Sequence, residues 1–448
     1  KGRAGVRGKL LTPINFSFDS QITHLRFYMT LKLLFSLTAI FFAVFAGQAF
    51  AAQPQAKVTL EELLAEAKAN NPELLGARET AKARSWRVRA EGAFDDPTLK
   101  IEMEDLSKNK PQNNGPGNSM LTRYTVSQMF PFYGKRSLKE KIALKEALSA
   151  EAELRKKELD VAASVKEAFY EYSRLIAAVG ITNELKDLFS YMSSITGVMY
   201  STGQATQQDF VKIQVEQTML ENELIMIEAE KEVMQARLNS ILSRPQGSVL
   251  GPPEPVADNR AELDTDALIK RAEETSPAIQ AMKHELAATE LSAELAGKNY
   301  YPDVMVGVAP VQRDGRFDAY DLMFQINIPL WKGKYDSQTK EAVASAGGAR
   351  FRLMAERNSK SFEIKEAVLK VEAAWRIKTL YETSLLPQTE LSFESALKNY
   401  QSGKASLLTL LETERDLKRT RIERLNSLID YKKKIAQLER AVGEDLVK

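Results

Sequence analysis

Two periods of apolar and polar side chains run along this chain, and each of them recurs. Over residues 60 to about 93 the apolar positions fall three and four apart, which predicts a helix, with Asn71-Pro72 interrupting it near the start and Pro97 beyond its end. From 98 to 106 the period drops to two, with Leu99, Ile101 and Met103 on one face and Lys100, Glu102 and Glu104 on the other, the pattern of a strand. A polar loop at 107–119 and a return strand at 121–130 follow, the latter setting Tyr124, Val126 and Phe130 against Arg123, Thr125 and Ser127. Residues 138–200 then form a helical pattern without proline, predicting a rod about 95 Å long. The chain turns at Gly203 and resumes as a helix over 207–242.

This order of elements is written twice. Asn71-Pro72, Asp96-Pro97, Pro131-Phe132-Tyr133-Gly134-Lys135 and the turn Tyr200 to Ala205 return as Ser276-Pro277, Tyr301-Pro302, Pro329-Leu330-Trp331-Lys332-Gly333-Lys334 and the turn Tyr400 to Ala405. The offset is 205 at the first two prolines, 198 at the third and 200 at the turn glycine, so the copies differ mainly in one loop. In the second hairpin Val304, Val306 and Val308 share a face. Past a loop near Arg313-Asp314-Gly315, Tyr320, Leu322, Phe324, Ile326 and Ile328 line up opposite Asp321, Met323, Gln325 and Asn327. The second rod, 337–400, contains only Pro387, and a last helix covers 406–442. Val165, Phe169, Tyr172 and Ile176 have coiled-coil spacing, which Ile364, Val368, Val371 and Trp375 repeat 199 residues later. The boundaries read as a first unit at 57–245 with its hairpin at 98–130, a Pro/Gly-rich connector at 246–260, and a second unit at 261–446 with its hairpin at 303–329.

Strands that are apolar on one face over about nine positions, with Phe132-Tyr133, Tyr300-Tyr301 and Trp331 at their ends, predict membrane-spanning barrel strands. A soluble sheet with one buried face is the alternative. Four strands cannot close a barrel, because every edge N–H and C=O in hydrocarbon needs a partner. Several chains must therefore contribute strands to one barrel, which the rods would continue as a helical cylinder.

Composition narrows the function. Residues 29–51, with Lys32, an apolar run at 33–46 and Ala49-Phe50-Ala51, are expected to be a signal peptide, and 1–28 an upstream extension. The chain has no cysteine, which excludes disulfides, thiolate metal sites and a lipidated cysteine. Its formal net charge is +2; without residues 1–51, which carry six Lys/Arg and one Asp, 56 basic side chains face 59 acidic ones, no basis for nucleic-acid binding. Lys432-Lys433-Lys434 reads as a solvated helix face. An enzyme is disfavoured: Gly134-Lys135-Arg136-Ser137 resembles the end of a phosphate loop, but Met129 stands where glycine is required, and His284 is the only histidine beyond His24. Met192 with Met199 and Met219 with Met226 are heptad-spaced and read as core, so neither a metal site nor a cofactor is expected.

The duplicated plan, the paired hairpins, the segment Pro131–Arg136 and the run Gly403-Lys-Ala-Ser-Leu-Leu-Thr-Leu-Leu-Glu412 resemble the TolC-like outer-membrane factors of Gram-negative bacteria, in particular their CzcC/CusC-like heavy-metal efflux branch. The resemblance covers essentially the whole chain beyond residue 51. It implies a mainly helical fold with a transmembrane β-barrel portion: a homotrimer whose twelve-stranded barrel in the outer membrane continues into an α-helical periplasmic tunnel. It further implies docking to a periplasmic adaptor and an inner-membrane pump of the RND type, with substrates passing through unchanged. The turn residues Thr202, Gly203, Gln204 and Ala205, with Ser402, Gly403, Lys404 and Ala405, would meet the adaptor. Tyr400 and Asp209 would hydrogen-bond at a periplasmic gate to which Glu412 adds an acidic ring, while Ala405 and Thr409 replace an arginine and an aspartate of the family pattern. A periplasmic coiled-coil adaptor or structural protein is the competing class, since adaptors also carry long helical hairpins.

Overall fold

The computed structural model describes residues 57–104, 121–256, 258–313 and 315–446. The expected extension, signal peptide and loop at 107–119 lie outside them. Helix α1 (Leu60–Asn70) starts with a capping box, in which the Thr59 hydroxyl accepts from the Glu62 N–H at 3.2 Å and the Glu62 carboxylate accepts from the Thr59 N–H at 3.3 Å. Asn71 then stops α1 and starts α2 (Pro72–Glu91). Its carbonyl accepts from the N–H groups of Glu73 and Leu74, and Pro72 occupies the first turn, where a missing N–H costs nothing. Its side-chain amide also donates to the Ile241 carbonyl at 2.9 Å, tying this junction to a helix 170 residues further on.

Strands β1 (Thr98–Glu104), β2 (Leu121–Phe130), β3 (Val304–Arg313) and β4 (Arg316–Ile326) form one antiparallel sheet in that order, so the two hairpins join through β2 and β3. Leu99 faces Val126, Val126 faces Val308 and Val308 faces Leu322, making a row of apolar side chains across all four strands, every one of them exposed. The opposite face is mixed, and charge knits part of it: Arg123 pairs with Glu104 on β1 and reaches across β3 to Asp321 on β4, each at 2.8 Å. β4 ends at Ile326, short of Ile328, with one more ladder-type bond beyond it, from the Asn327 N–H to the Asp303 carbonyl.

The helices form an array around α3 (Lys135–Ser201), a single helix of 67 residues. Near the sheet α2, α3, α6 (Pro277–Lys298) and α7 (Lys332–Leu380) lie side by side; away from it α4 (Gln207–Leu242), α3, α9 (Leu407–Val442) and α8 (Leu386–Gln401) do. The second rod is α7 and α8, joined through one π-helical turn at Tyr381–Leu385 that ends in Pro387 territory. Proline lacks an N–H and crowds the carbonyl four residues back, and the wider turn relieves both.

Burial follows the duplication. Val165, Phe169 and Tyr172 pack with Leu63, Leu74 and Leu238, and their counterparts Ile364, Val368 and Val371 pack with Leu268, from α5 (Thr265–Thr275), and Tyr431. A third cluster at the far end joins both copies. Two expectations are corrected. Lys432 is buried, and Lys433 and Lys434 are partly buried, pairing with Glu171 and Asp430, because α9 has helices on both sides. Met192 and Met199 are core, but Met219 and Met226 are exposed, since α4 lies at the edge of the array within one protomer.

Strands and rods meet at a joint between the copies. Buried Lys135 at the head of α3 donates to Asp303 at 2.8 Å and to the Tyr301 carbonyl, Asp303 also accepts from the Phe132 N–H, and the Phe132 and Tyr301 rings stack 4.3 Å apart. Removing one member of such a buried pair strands the other charge. Lys135→Met is expected to lower stability by about 2–4 kcal/mol in thermal unfolding in detergent, with Lys135→Met/Asp303→Asn recovering part of the loss. A loss no larger than that of an exposed pair such as Lys82–Glu79, under about 1 kcal/mol, would deny the pair its role at the joint.

Candidate functional site at the helical tip

At the end of the array opposite the sheet, each copy reverses direction through the same turn. The Gly203 N–H donates to Tyr200 O and the N–H groups of Gln204 and Ala205 to Met199 O; Gly403, Lys404 and Ala405 repeat this on Tyr400 O and Asn399 O. Both glycines have φ near +70°, a left-handed conformation that a side chain would strain. Thr202, Gly203, Gln204, Ser402, Gly403 and Lys404 are exposed, whereas Ala205 and Ala405 turn partly inward.

Helices α4 and α9 leave these turns through matching caps. Thr206 accepts from the Asp209 N–H at 3.2 Å, and the Asp209 carboxylate accepts from the Thr206 N–H at 3.0 Å and hydroxyl at 2.7 Å. Ser406 accepts from the Thr409 N–H at 3.2 Å. Tyr400 is buried with its hydroxyl 2.8 Å from Thr196 Oγ1 on the other rod. The Tyr400–Asp209 hydrogen bond implied by the resemblance is therefore not made within the protomer: the carboxylate is taken up by its own helix cap, and the phenol finds a buried threonine. Asp209 still lies close enough to act on Tyr400, whose pKa is raised by burial and further by that carboxylate, while Thr196 opposes the shift. Glu412 stands exposed on α9.

The outer membrane efflux protein family matches residues 63–244 and 268–444, one stretch for each copy. The chain belongs to this family. It is similar to the cobalt-zinc-cadmium resistance protein CzcC of Cupriavidus metallidurans, 22% identical over 396 residues that cover 86% of this chain and 90% of that protein. Its fold is also that of the CusC crystal structure, with a TM-score of 0.74 at 17% identity over 88% of this chain and 94% of that one. The outer-membrane protein VceC of Vibrio cholerae gives 0.73 at 20% identity, covering 87% and 97%. The exposed apolar sheet is thus the outer-membrane portion of an efflux exit duct, and the helical array is its periplasmic part.

The tip of this efflux protein holds one residue that the sequence reading passed over. Glu414 follows Leu410 and Leu411 by four and three residues and precedes Leu417 by three, which puts it on the apolar face of α9, and that spacing was the available signal. It is 2% exposed, and its Oε1 has no hydrogen-bond partner. Beside it Arg415 pairs with Glu216 and Lys418 with Glu223, tying α9 to α4. Burial pushes the Glu414 carboxyl up to about 7; Lys418 and Arg415 pull against this, and Glu216 and Glu223 add to it.

Between the unfolded value of 4.5 and about 7 the folded protein keeps a proton that the unfolded chain releases. Stability therefore falls as pH rises through that window, by up to about 3 kcal/mol, and levels off above it. Glu414→Gln is expected to flatten this part of the thermal-unfolding profile between pH 5 and pH 8. Parallel profiles for the two proteins would assign the slope to other groups.

Proposed function

We propose that three copies of the chain form one twelve-stranded barrel and one continuous helical tunnel, through which an adaptor-coupled inner-membrane pump of the RND type expels substrate unchanged. The observation that carries this reading is the four-stranded sheet. Its apolar side chains point outward, and the outer rims of β1 and β4 have no strand partner among the described residues, an arrangement that hydrocarbon does not tolerate unless other copies supply the missing strands. The helices support the same stoichiometric logic. Val211, Met219, Met226 and Val233 along α4, and Phe351, Phe362 and Leu369 along α7, are exposed on the array's flanks, where a neighbouring copy would cover them.

The turns at 202–205 and 402–405 are the proposed adaptor contacts. Next to them an apolar groove of about 520 Å³ runs between α4 and α9, lined by Val211, Val215, Leu408 and Leu411. Heavy-metal cations are the proposed cargo, by likeness to CzcC, with the metal selected by the pump rather than held by this chain. Among the described residues no group of three or more His, Cys, Asp or Glu could hold a metal ion.

Tyr400, Asp209 and Glu412 are the proposed gate. Tyr400 locks the two rods together through Thr196, Asp209 fixes the start of α4 beside it, and Glu412 from three copies lines the opening with carboxylates that draw cations inward.

In planar bilayers the purified chain is expected to insert as a trimeric channel, and a protein that remains monomeric and inserts nothing would refute the assembly. Tyr400→Phe combined with Asp209→Ala is expected to raise the resting single-channel conductance. A value equal to wild type would remove these two residues from the gate. In the same recordings Glu412→Ala should weaken block by multivalent cations, and unchanged block would turn that side chain away from the lumen. Photocrosslinkers at Gln204 and Lys404 are expected to capture the adaptor; capture only from residues at the sheet would reverse the proposed orientation.

A further inference from the structure

Where β2 passes into α3, a cavity of about 530 Å³ opens between the ends of α2 and α6 and the start of α3. Three cations line it: Arg136, Lys141 and Lys298. None of the three forms an ion pair among the described residues, although Lys135 beside them is fully engaged with Asp303. Glu294 also borders the cavity, which leaves a net positive site. The Arg136 guanidinium lies 3.9 Å above the Phe94 ring, and Phe94 meets Phe130 edge-on at 5.7 Å. Lys298 folds over Gly134, its Nζ 3.5 Å from where a β-carbon would sit.

The position of the cavity restricts what can occupy it. Phe130 ends the outward row of β2 that includes Val126, so the floor of the cavity continues into the lipid-facing surface of the sheet. Tyr133 at its rim is 90% exposed, an amphipathic ring at the boundary between hydrocarbon and water. The unpaired cations therefore sit at the depth of the headgroups on the periplasmic side of the outer membrane, with an apolar path leading away into the acyl region. The cavity rests mainly on β2, α3 and α6, which have neighbours on both sides within the protomer, and only its Phe94 edge, beyond α2, lies toward the flank.

We propose that this cavity binds the phosphate of an anionic phospholipid from the periplasmic leaflet, with Arg136, Lys141 and Lys298 neutralising the headgroup and Phe94, Phe130 and Tyr133 supporting the start of the acyl chains. Arg136 presents a planar fork to phosphate oxygens, and the two lysines add point charges. Basic pockets at a membrane surface recognise anionic headgroups through the same combination. The site concerns how the duct is seated in its bilayer and does not depend on the gate, the adaptor contacts or the cargo.

The full-length protein, purified in a mild detergent and stripped of lipid, tests this by native mass spectrometry during titration with phosphatidylglycerol, phosphatidylcholine or inorganic phosphate. Wild type is expected to retain phosphatidylglycerol selectively, and each of Lys141→Gln and Lys298→Gln to weaken retention about five-fold. Lys141 is exposed, so Lys141→Gln leaves the packing alone, while Lys298 is partly exposed and also covers Gly134; Arg136→Lys serves as a charge-preserving control that should bind better than Arg136→Gln. Equal retention of phosphatidylcholine, or unchanged retention in both lysine variants, would overturn the proposal. Competition by millimolar inorganic phosphate that displaces the lipid completely would assign the site to free phosphate and overturn the lipid as its occupant.

Discussion

Backbone hydrogen bonds at the rim of a small sheet govern the rest of this molecule. The four strands satisfy one another inside the sheet, but β1 and β4 each offer a row of N–H and C=O groups on the outer side. In water that would be a modest liability; against hydrocarbon each unmet group costs several kcal/mol. The outward apolar rows commit the sheet to lipid, where its rims need partners, and in the proposed assembly other copies supply them. The rods inherit that geometry, because only short segments separate Phe130 from α3 and Ile326 from α7, and the Lys135–Asp303 pair with the Phe132–Tyr301 stack makes the first of these joints stiff.

Duplication solves the packing of a long, thin object that has no central core. Each copy carries its own cluster midway along the rod, where a short helix, α1 or α5, covers the exposed side of the coiled-coil pair. At the tip side chains of both copies share one cluster, and there Tyr400, Thr196 and Glu414 introduce polar groups into the apolar interior. A buried carboxyl with an orphan oxygen lowers local stability, which suits the gate proposed at this end.

The strands, the rods and the turns are legible in the local sequence pattern. Alternation at Leu99, Ile101 and Met103, and at Val304, Val306 and Val308, fixed which residues face out, and Gly203 and Gly403 marked the reversals because few other residues accept positive φ. What remained hidden depended on neighbours. Lys432 looks like any surface lysine until α3 lies against it, and Met219 looks like core until α4 proves to be an edge. The partner of Tyr400 could not be read either, since Thr196 lies 204 residues away on the other copy and offers no charge to signal its role. Glu414 was accessible from its spacing alone, and was masked by the more conspicuous Glu412 two residues earlier.

The π-helical turn at Tyr381–Leu385 settles a mismatch between the two copies. Mid-rod counterparts such as Ile176 and Trp375 are 199 residues apart, yet Tyr200 and Tyr400 are 200 apart, so one residue has been gained between them in the second rod. In an unbroken α-helix that residue would swing everything beyond it by about 100° around the axis. A single widened loop of backbone houses the extra residue instead, and the helix resumes in phase. The second rod thus works like a vernier: its upper scale is aligned to the short helix α5 and its lower scale to the tip, and the two alignments are set independently.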